Sequence, residues 1–105
     1  MDIEKKIGPE SYKKGNFFYE LIENHIFSIN SYNELIENIK IFQEKDPGSK
    51  INKKTVKHLY VFMSLYAWSI NDYKEGKYNI VGIKNEEHFF DYYETLDMKI
   101  IQLLS

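Results

Sequence analysis

Four stretches of the chain repeat apolar residues at intervals of three and four positions, the spacing that places side chains on one face of an α-helix. The two Pro and five Gly residues lie between these stretches, where they end helices and form turns. A chain of 105 residues has room for one core. We therefore predict a single all-α domain over residues 1–105, a four-helix bundle-like fold in which residues 1–8 are flexible.

Capping residues set the ends of the first two predicted helices. Asn16 caps a helix from Phe17 to about Ile29. A second helix runs from 32 to about 44, and Ser31 with Glu34 has the spacing of a capping box at its start. The Asp-Pro-Gly-Ser segment at 46–49 is typical of a turn and ends this helix.

The third predicted helix is the longest, from 53 to about 75, and Gly76 suits a left-handed cap at its end. Its inward stripe is predicted to hold Val56, Leu59, Tyr60, Met63, Tyr66, Ala67, Ile70 and Tyr73. Asn85 caps the fourth helix, from 86 to 104. The connection 77–84 is too apolar for a free loop, so we expect it to lie across the bundle end as a short extended segment.

The residue types needed for common catalytic and metal sites are missing or wrongly spaced. Cysteine is absent, which excludes disulfides and thiolate ligands. His25, His58 and His88 lie on three different helices without the Glu-x-x-His or His-x-x-x-His spacing of a metal site, so we expect boundary histidines, His25 at the edge of the core and the other two on helix flanks. Glycine-rich phosphate loops and a Gly-x-Ser-x-Gly turn are also absent from the sequence. We therefore expect no catalysis, no metal and no cofactor.

Composition also bears on location and on nucleic acid. No apolar run approaches the ~20 residues of a membrane span, and the charged N-terminus is unlike a signal peptide. We expect a soluble, cytoplasmic protein. All 14 basic residues are Lys, and the net charge is −2. Because nucleic-acid readers depend on the bidentate fork of Arg, direct nucleic-acid binding is disfavoured.

A second row of residues runs along the third helix, roughly opposite its predicted core stripe. This Trp68 ridge consists of Val61, Leu65, Trp68 and Asp72, at i, i+4, i+7 and i+11. Two interpretations stay open: a central helix buried on most sides, or an exposed protein-binding ridge anchored by Trp68.

Acidic residues are concentrated near the C-terminus. Residues 72–97 hold seven acids and three Lys, a local net charge of −4. Glu87, Asp91 and Glu94 share one outward face of the fourth helix, which we call the acidic face. It is either a solvated surface or a docking surface for a basic partner. Carboxylates beside tyrosine rings can stand in for nucleic acid, and such a surface would block basic nucleases.

Two segments carry a family resemblance: Phe-Tyr-Glu-Leu-Ile-Glu at 18–23 and Ile-Asn-Ser-Tyr-Asn-Glu-Leu-Ile at 29–36. Together they resemble the opening helical hairpin of the colicin D-type immunity proteins. The aromatic and acidic connection that begins at Asp72, and the final helix that opens with Glu86 and Glu87, are similar to the tail of that family.

The resemblance implies a helical bundle made beside a nuclease toxin, which binds that toxin, shields its cleft with an acidic surface and performs no chemistry. Small immunity proteins of contact-dependent growth inhibition systems share this size and acidity, so the prediction covers that broader class. The predicted partner-binding residues are Trp68, Asp72, Glu75, Tyr78, Glu87, Asp91, Tyr92 and Glu94.

Three alternatives remain open. A phage-encoded inhibitor or nucleic-acid mimic would use the same acidic face against a host protein. A structural homodimer would use Val61, Leu65 and Trp68 as its seam, so either a monomer or a homodimer is compatible with the sequence. The third alternative is an enzyme, which carboxylates paired across two helices in a cleft would support.

Overall fold

The computed structural model describes residues 4–45 and 51–104, and its elements within these ranges are helical. The α-helices are α1 (Glu4–Ile7), α2 (Phe17–Asn24), α3 (Ile29–Lys45), α4 (Lys53–Lys74) and α5 (Glu86–Leu104), and a 3-10 turn (Pro9–Ser11) separates α1 from α2. The four predicted helices correspond to α2–α5, which confirms the all-α fold. The turn predicted at 46–49 lies outside the described residues.

The N-terminal segment is more ordered than we predicted. Within residues 1–8, which we expected to be flexible, α1 forms a helical turn whose Ile7 is fully buried. Gly8 follows it and packs so closely on Thr55 of α4 that a Cβ would meet the threonine hydroxyl. Residues 1–3 lie outside the described ranges.

The junction between α2 and α3 differs from the sequence prediction. Asn16 caps α2 as predicted, accepting from the Tyr19 amide at 3.1 Å. The predicted extension to Ile29 is wrong, because His25 adopts a left-handed backbone (φ 54°) and ends α2 at Asn24. Ile26 and Ile29, which the apolar spacing of the longer predicted helix would place on its inward face, are 36% and 40% exposed.

The predicted capping box at Ser31 is also wrong. Helix α3 already starts at Ile29, and the hydroxyl of Ser28 accepts from the Ser31 amide at 3.2 Å. Ser28 therefore caps α3. The Ser31 hydroxyl instead donates to the Gly15 carbonyl at 2.8 Å, which joins the start of α3 to the turn before α2.

The connection between α4 and α5 is clasped to the α2–α3 junction. The Phe27 amide donates to the Val81 carbonyl at 2.7 Å, and the Val81 amide donates to the His25 carbonyl at 3.0 Å. These bonds form an isolated parallel bridge between Ile26 and Val81, so the expected extended segment is present as a single bridge. Gly82 has φ +100°, and a Cβ there would collide with the Phe27 carbonyl oxygen. We call this contact the backbone clasp.

Helix α5 is held against its neighbours by two tyrosine hydroxyls. Tyr66 of α4 donates to the Phe89 carbonyl at 3.0 Å, and Tyr32 of α3 donates to the Tyr92 carbonyl at 2.9 Å. Burial raises the pKa of Tyr66, and it raises that of Tyr32 to about 12. Both hydroxyls therefore keep their protons at neutral pH and remain donors.

The caps of α4 and α5 agree with the sequence, whereas one core assignment on α4 does not. Asn85 accepts from the His88 amide at 2.8 Å, and Gly76 has the predicted left-handed backbone (φ +74°). Tyr60, predicted to face the core, is 62% exposed. It follows Leu59 by 100° around the helix, which takes it beyond the edge of the buried arc.

The backbone clasp predicts a strong effect of Gly82→Ala. Gly15 has nearly the same φ (+94°) but open space around it, so Gly15→Ala measures the conformational cost alone, about 1–3 kcal/mol. We expect Gly82→Ala to lower the free energy of unfolding in urea by clearly more, because the Phe27 carbonyl must also move. Equal losses for the two variants would show that the close approach contributes nothing.

The tyrosine hydroxyls give a second stability prediction. Removal of one hydroxyl by Tyr66→Phe leaves the Phe89 carbonyl without its side-chain donor and should cost about 0.5–1.5 kcal/mol in the free energy of unfolding. Tyr60→Phe on the exposed side of the same helix is the matched control, and we expect no measurable change. If the two variants unfold at the same urea concentration, the buried hydrogen bond does not stabilise the fold.

Candidate partner-binding site

The acidic face predicted from the sequence lies on the outer side of α5. Glu87, Asp91 and Glu94 are all exposed and follow one another at intervals of four and three residues. Among the described residues, no Lys or His nitrogen comes within 4.0 Å of their carboxylates. The three charges are therefore available to another molecule.

The structure extends the acidic face with apolar side chains that the sequence reasoning missed. Met98 is 61% exposed and Ile101 is 58% exposed, although both are hydrophobic. They follow Glu94 at the same intervals of four and three, so one straight stripe on α5 carries three carboxylates and then two apolar groups. This continued spacing was the signal available in the sequence.

Asp72 and Glu75, at the end of α4, are already paired. The Lys77 ammonium lies 3.4 Å from the Asp72 carboxylate and 3.3 Å from that of Glu75. Hydrogen bonds to Glu75 and Asp72 raise the pKa of Lys77. Lys74 similarly lies 3.8 Å from Glu86. Lys74 and Lys77 thus offset three acids near the α4–α5 connection, whereas the acidic face has no such partner within the described residues.

The two predicted aromatic anchors are engaged within the fold. The Tyr78 ring stacks on His25, with centroids 4.0 Å apart and planes 5° from parallel. Tyr92 packs edge-on against Tyr32 at 4.8 Å and against His88 at 4.8 Å. Both rings are half-buried, and neither is brought to the outer side of α5.

Three of the four residues of the Trp68 ridge are exposed. Trp68 is 69% exposed, and Val61 and Leu65 are also exposed on the same side of α4. The alternative, a central helix buried on most sides, is wrong. The ridge lies on α4 and the acidic face on α5, so the predicted site residues are divided between two helices.

The histidines occupy three different environments. His58, expected on a helix flank, is only 7% exposed and lies among Tyr12, Phe18 and Phe62, while its Nε2 has no hydrogen-bond partner among the described residues. Burial lowers the pKa of His58.

Across residues 4–45 and 51–104, no three His, Asp or Glu side chains are grouped so that they could hold a metal ion. No helix in these ranges combines the length and hydropathy needed to span a bilayer.

Comparisons of the chain with protein-family models, with curated proteins and with solved structures find no match.

The buried His58 predicts a loss of stability in mild acid. Below its ordinary pKa of 6.5 the unfolded chain binds a proton at His58, whereas the folded chain binds it only at lower pH. The free energy of unfolding should therefore fall as the pH drops below 6.5. We expect the decline between pH 7.5 and pH 5 to be smaller in His58→Gln than in the wild type, as measured by urea unfolding at each pH. Identical declines would assign the pH dependence to other groups.

Proposed function

We propose that this chain is a cytoplasmic immunity protein that binds and neutralises a cognate antibacterial toxin, a basic nuclease, through the outer stripe of α5. The observation that carries the proposal is the row of three unpaired, exposed carboxylates, Glu87, Asp91 and Glu94, continued by exposed Met98 and Ile101. The mechanism is occlusion by binding and requires no catalysis by this chain.

Helix stability does not account for the acidic face. Like charges at i, i+3 and i+4 destabilise a helix by about 0.2–0.5 kcal/mol per pair. The positive end of the helix dipole offsets this repulsion only in the first turn, which includes Glu87 but not Asp91 or Glu94. A basic partner would remove the repulsion, and this supports a binding role for the face.

The arrangement of the stripe fits a nuclease as the partner. The cleft of a nuclease binds phosphates with cationic side chains. Carboxylates on a straight helix can bind those same cations in place of the phosphates. Concentrated opposite charge also speeds the encounter of the two proteins and fixes their register. Met98 and Ile101 would then supply the apolar contact that charge alone does not provide.

The family resemblance favours a toxin over a host protein as the partner. The hairpin at 18–23 and 29–36, and the acidic start of α5, are the segments that resemble the colicin D-type immunity proteins. An inhibitor of phage origin, or a nucleic-acid mimic, would use the same face. Its partner would be a host nucleic-acid-binding protein.

Reversal of charge on the acidic face tests the proposal. The tagged chain is incubated with lysate of its native strain, and the captured proteins are identified by mass spectrometry. We expect a basic nuclease, inhibited by the wild-type chain at a 1:1 ratio. The double variant Asp91→Lys/Glu94→Lys should lose capture, because both changes place cations against a basic surface.

A matched variant distinguishes the effect of charge on this face from the effect of the protein's net charge. Glu34 and Glu37 are exposed on α3 at the same spacing of three residues, so Glu34→Lys/Glu37→Lys changes the net charge by the same amount elsewhere. We expect it to capture and inhibit the nuclease as the wild type does. Equal loss in both double variants, or unchanged capture by Asp91→Lys/Glu94→Lys at low salt, would contradict the proposal. Capture of a host nucleic-acid-binding protein instead of a toxin would replace it with the mimic.

A further inference from the structure

The Trp68 ridge is the middle of a longer stripe on α4 whose charges change sign from one end to the other. Along one outer side of the helix lie, in order, Lys54, Lys57, Val61, Leu65, Trp68, Asp72 and Glu75. The lysines precede the apolar centre and the acids follow it. We call this row the α4 stripe.

The α4 stripe is symmetric about its centre. Lys57 and Asp72 each lie about 11 Å along the helix axis from the point midway between Ser64 and Leu65. Lys54 and Glu75 each lie about 16 Å from that point, and Val61 and Trp68 each lie about 5 Å from it. Six of the seven residues therefore form three pairs of complementary character at equal distances from the centre, and Leu65 lies next to the centre itself.

We infer that the α4 stripe binds a second copy of this chain, with the two α4 helices antiparallel about a two-fold axis near Leu65. In this arrangement Lys57 and Lys54 of each copy lie beside Asp72 and Glu75 of the other. A two-fold interface must be self-complementary, since the same surface is used by both copies, and the sign reversal along the stripe meets this requirement. The inference uses a different helix from the acidic face and does not depend on the proposed function.

The helix dipole strengthens the case for an antiparallel partner. The first turn of α4 carries Lys53 and Lys54 and no acid, although the N-terminus of a helix favours negative charge. The last turn carries Asp72 as well as Lys74, and only the lysine has the sign that this end of a helix favours. Lys77 offsets the acids at that end, but no ion pair is formed by Lys54 or Lys57 within the described residues. The acids of an antiparallel copy would neutralise these lysines.

A surface hollow beside the stripe offers a place for the exposed indole. It has a volume of about 260 Å³ and is lined by Pro9, Lys54, Lys57, His58, Val61 and Phe62. Because Trp68 and Val61 are equidistant from the centre, Trp68 of the second copy lies opposite Val61, at the edge of this hollow. Tryptophan is enriched among the residues that contribute most of the binding energy at protein interfaces.

Exchange of charges between two variants tests this pairing directly. The two-fold axis gives each dimer two contacts between positions 57 and 72. In a Lys57→Glu dimer both contacts bring the new acid against Asp72, and in an Asp72→Lys dimer both bring the new cation against Lys57. We expect each variant alone to dissociate at least about tenfold more readily than the wild type in sedimentation equilibrium. An equimolar mixture of the two should restore dimers, since the heterodimer has opposite charges at both ends.

Two controls complete the design. Lys40→Glu on α3 changes the net charge as Lys57→Glu does but lies away from the stripe, and its dimerisation should match that of the wild type. Trp68→Ala removes an exposed side chain and should yield a monomer with unchanged circular dichroism. A wild-type chain that is monomeric throughout the micromolar range would overturn the inference. So would a mixture of Lys57→Glu and Asp72→Lys that associates no better than either variant alone.

Discussion

The backbone clasp between residues 25–27 and Val81 is the constraint on which the placement of α5 depends. Its two hydrogen bonds fix the middle of the connection that leads from α4 into α5. The close approach is possible because Gly82 has no Cβ to strike the Phe27 carbonyl, while the neighbouring Ile80 is buried in the core. The chain that leads into α5, where the acidic face begins, is thereby joined to the α2–α3 junction, and α5 itself packs against α3 and α4.

The tyrosine hydroxyls explain how α5 tolerates its clustered carboxylates. Repulsion along the acidic face is worth a few tenths of a kcal/mol per pair. The hydrogen bonds from Tyr66 and Tyr32 to the Phe89 and Tyr92 carbonyls contribute about 0.5–1.5 kcal/mol each, in the same part of the helix. The inner side of α5 therefore stabilises the helix more than its outer side destabilises it.

The parts of the fold that depend on local signals could be predicted from the sequence. The start of α5 follows from the Asn85 cap, and the end of α4 follows from the left-handed Gly76, so both helices match within a residue. The end of α2 could not be predicted, because His25 is left-handed without being glycine and its carbonyl bonds to Val81, far along the chain. Periodicity also gave α4 two apolar stripes, and only tertiary packing decides that Tyr66 is buried and Trp68 is exposed.

The two proposed surfaces share a physical origin but require different partners. On each, charges lie where an isolated helix gains nothing from them: like charges follow one another on α5, and the lysines in the first turn of α4 have the sign that the helix dipole disfavours there. Both arrangements become favourable when a second molecule supplies the opposite charge. The α4 stripe contains both signs in mirrored order, so a second copy of the chain is sufficient. Glu87, Asp91 and Glu94 are all of one sign and would repel the same face of another copy, so the proposed partner of α5 must be a basic surface on a different protein.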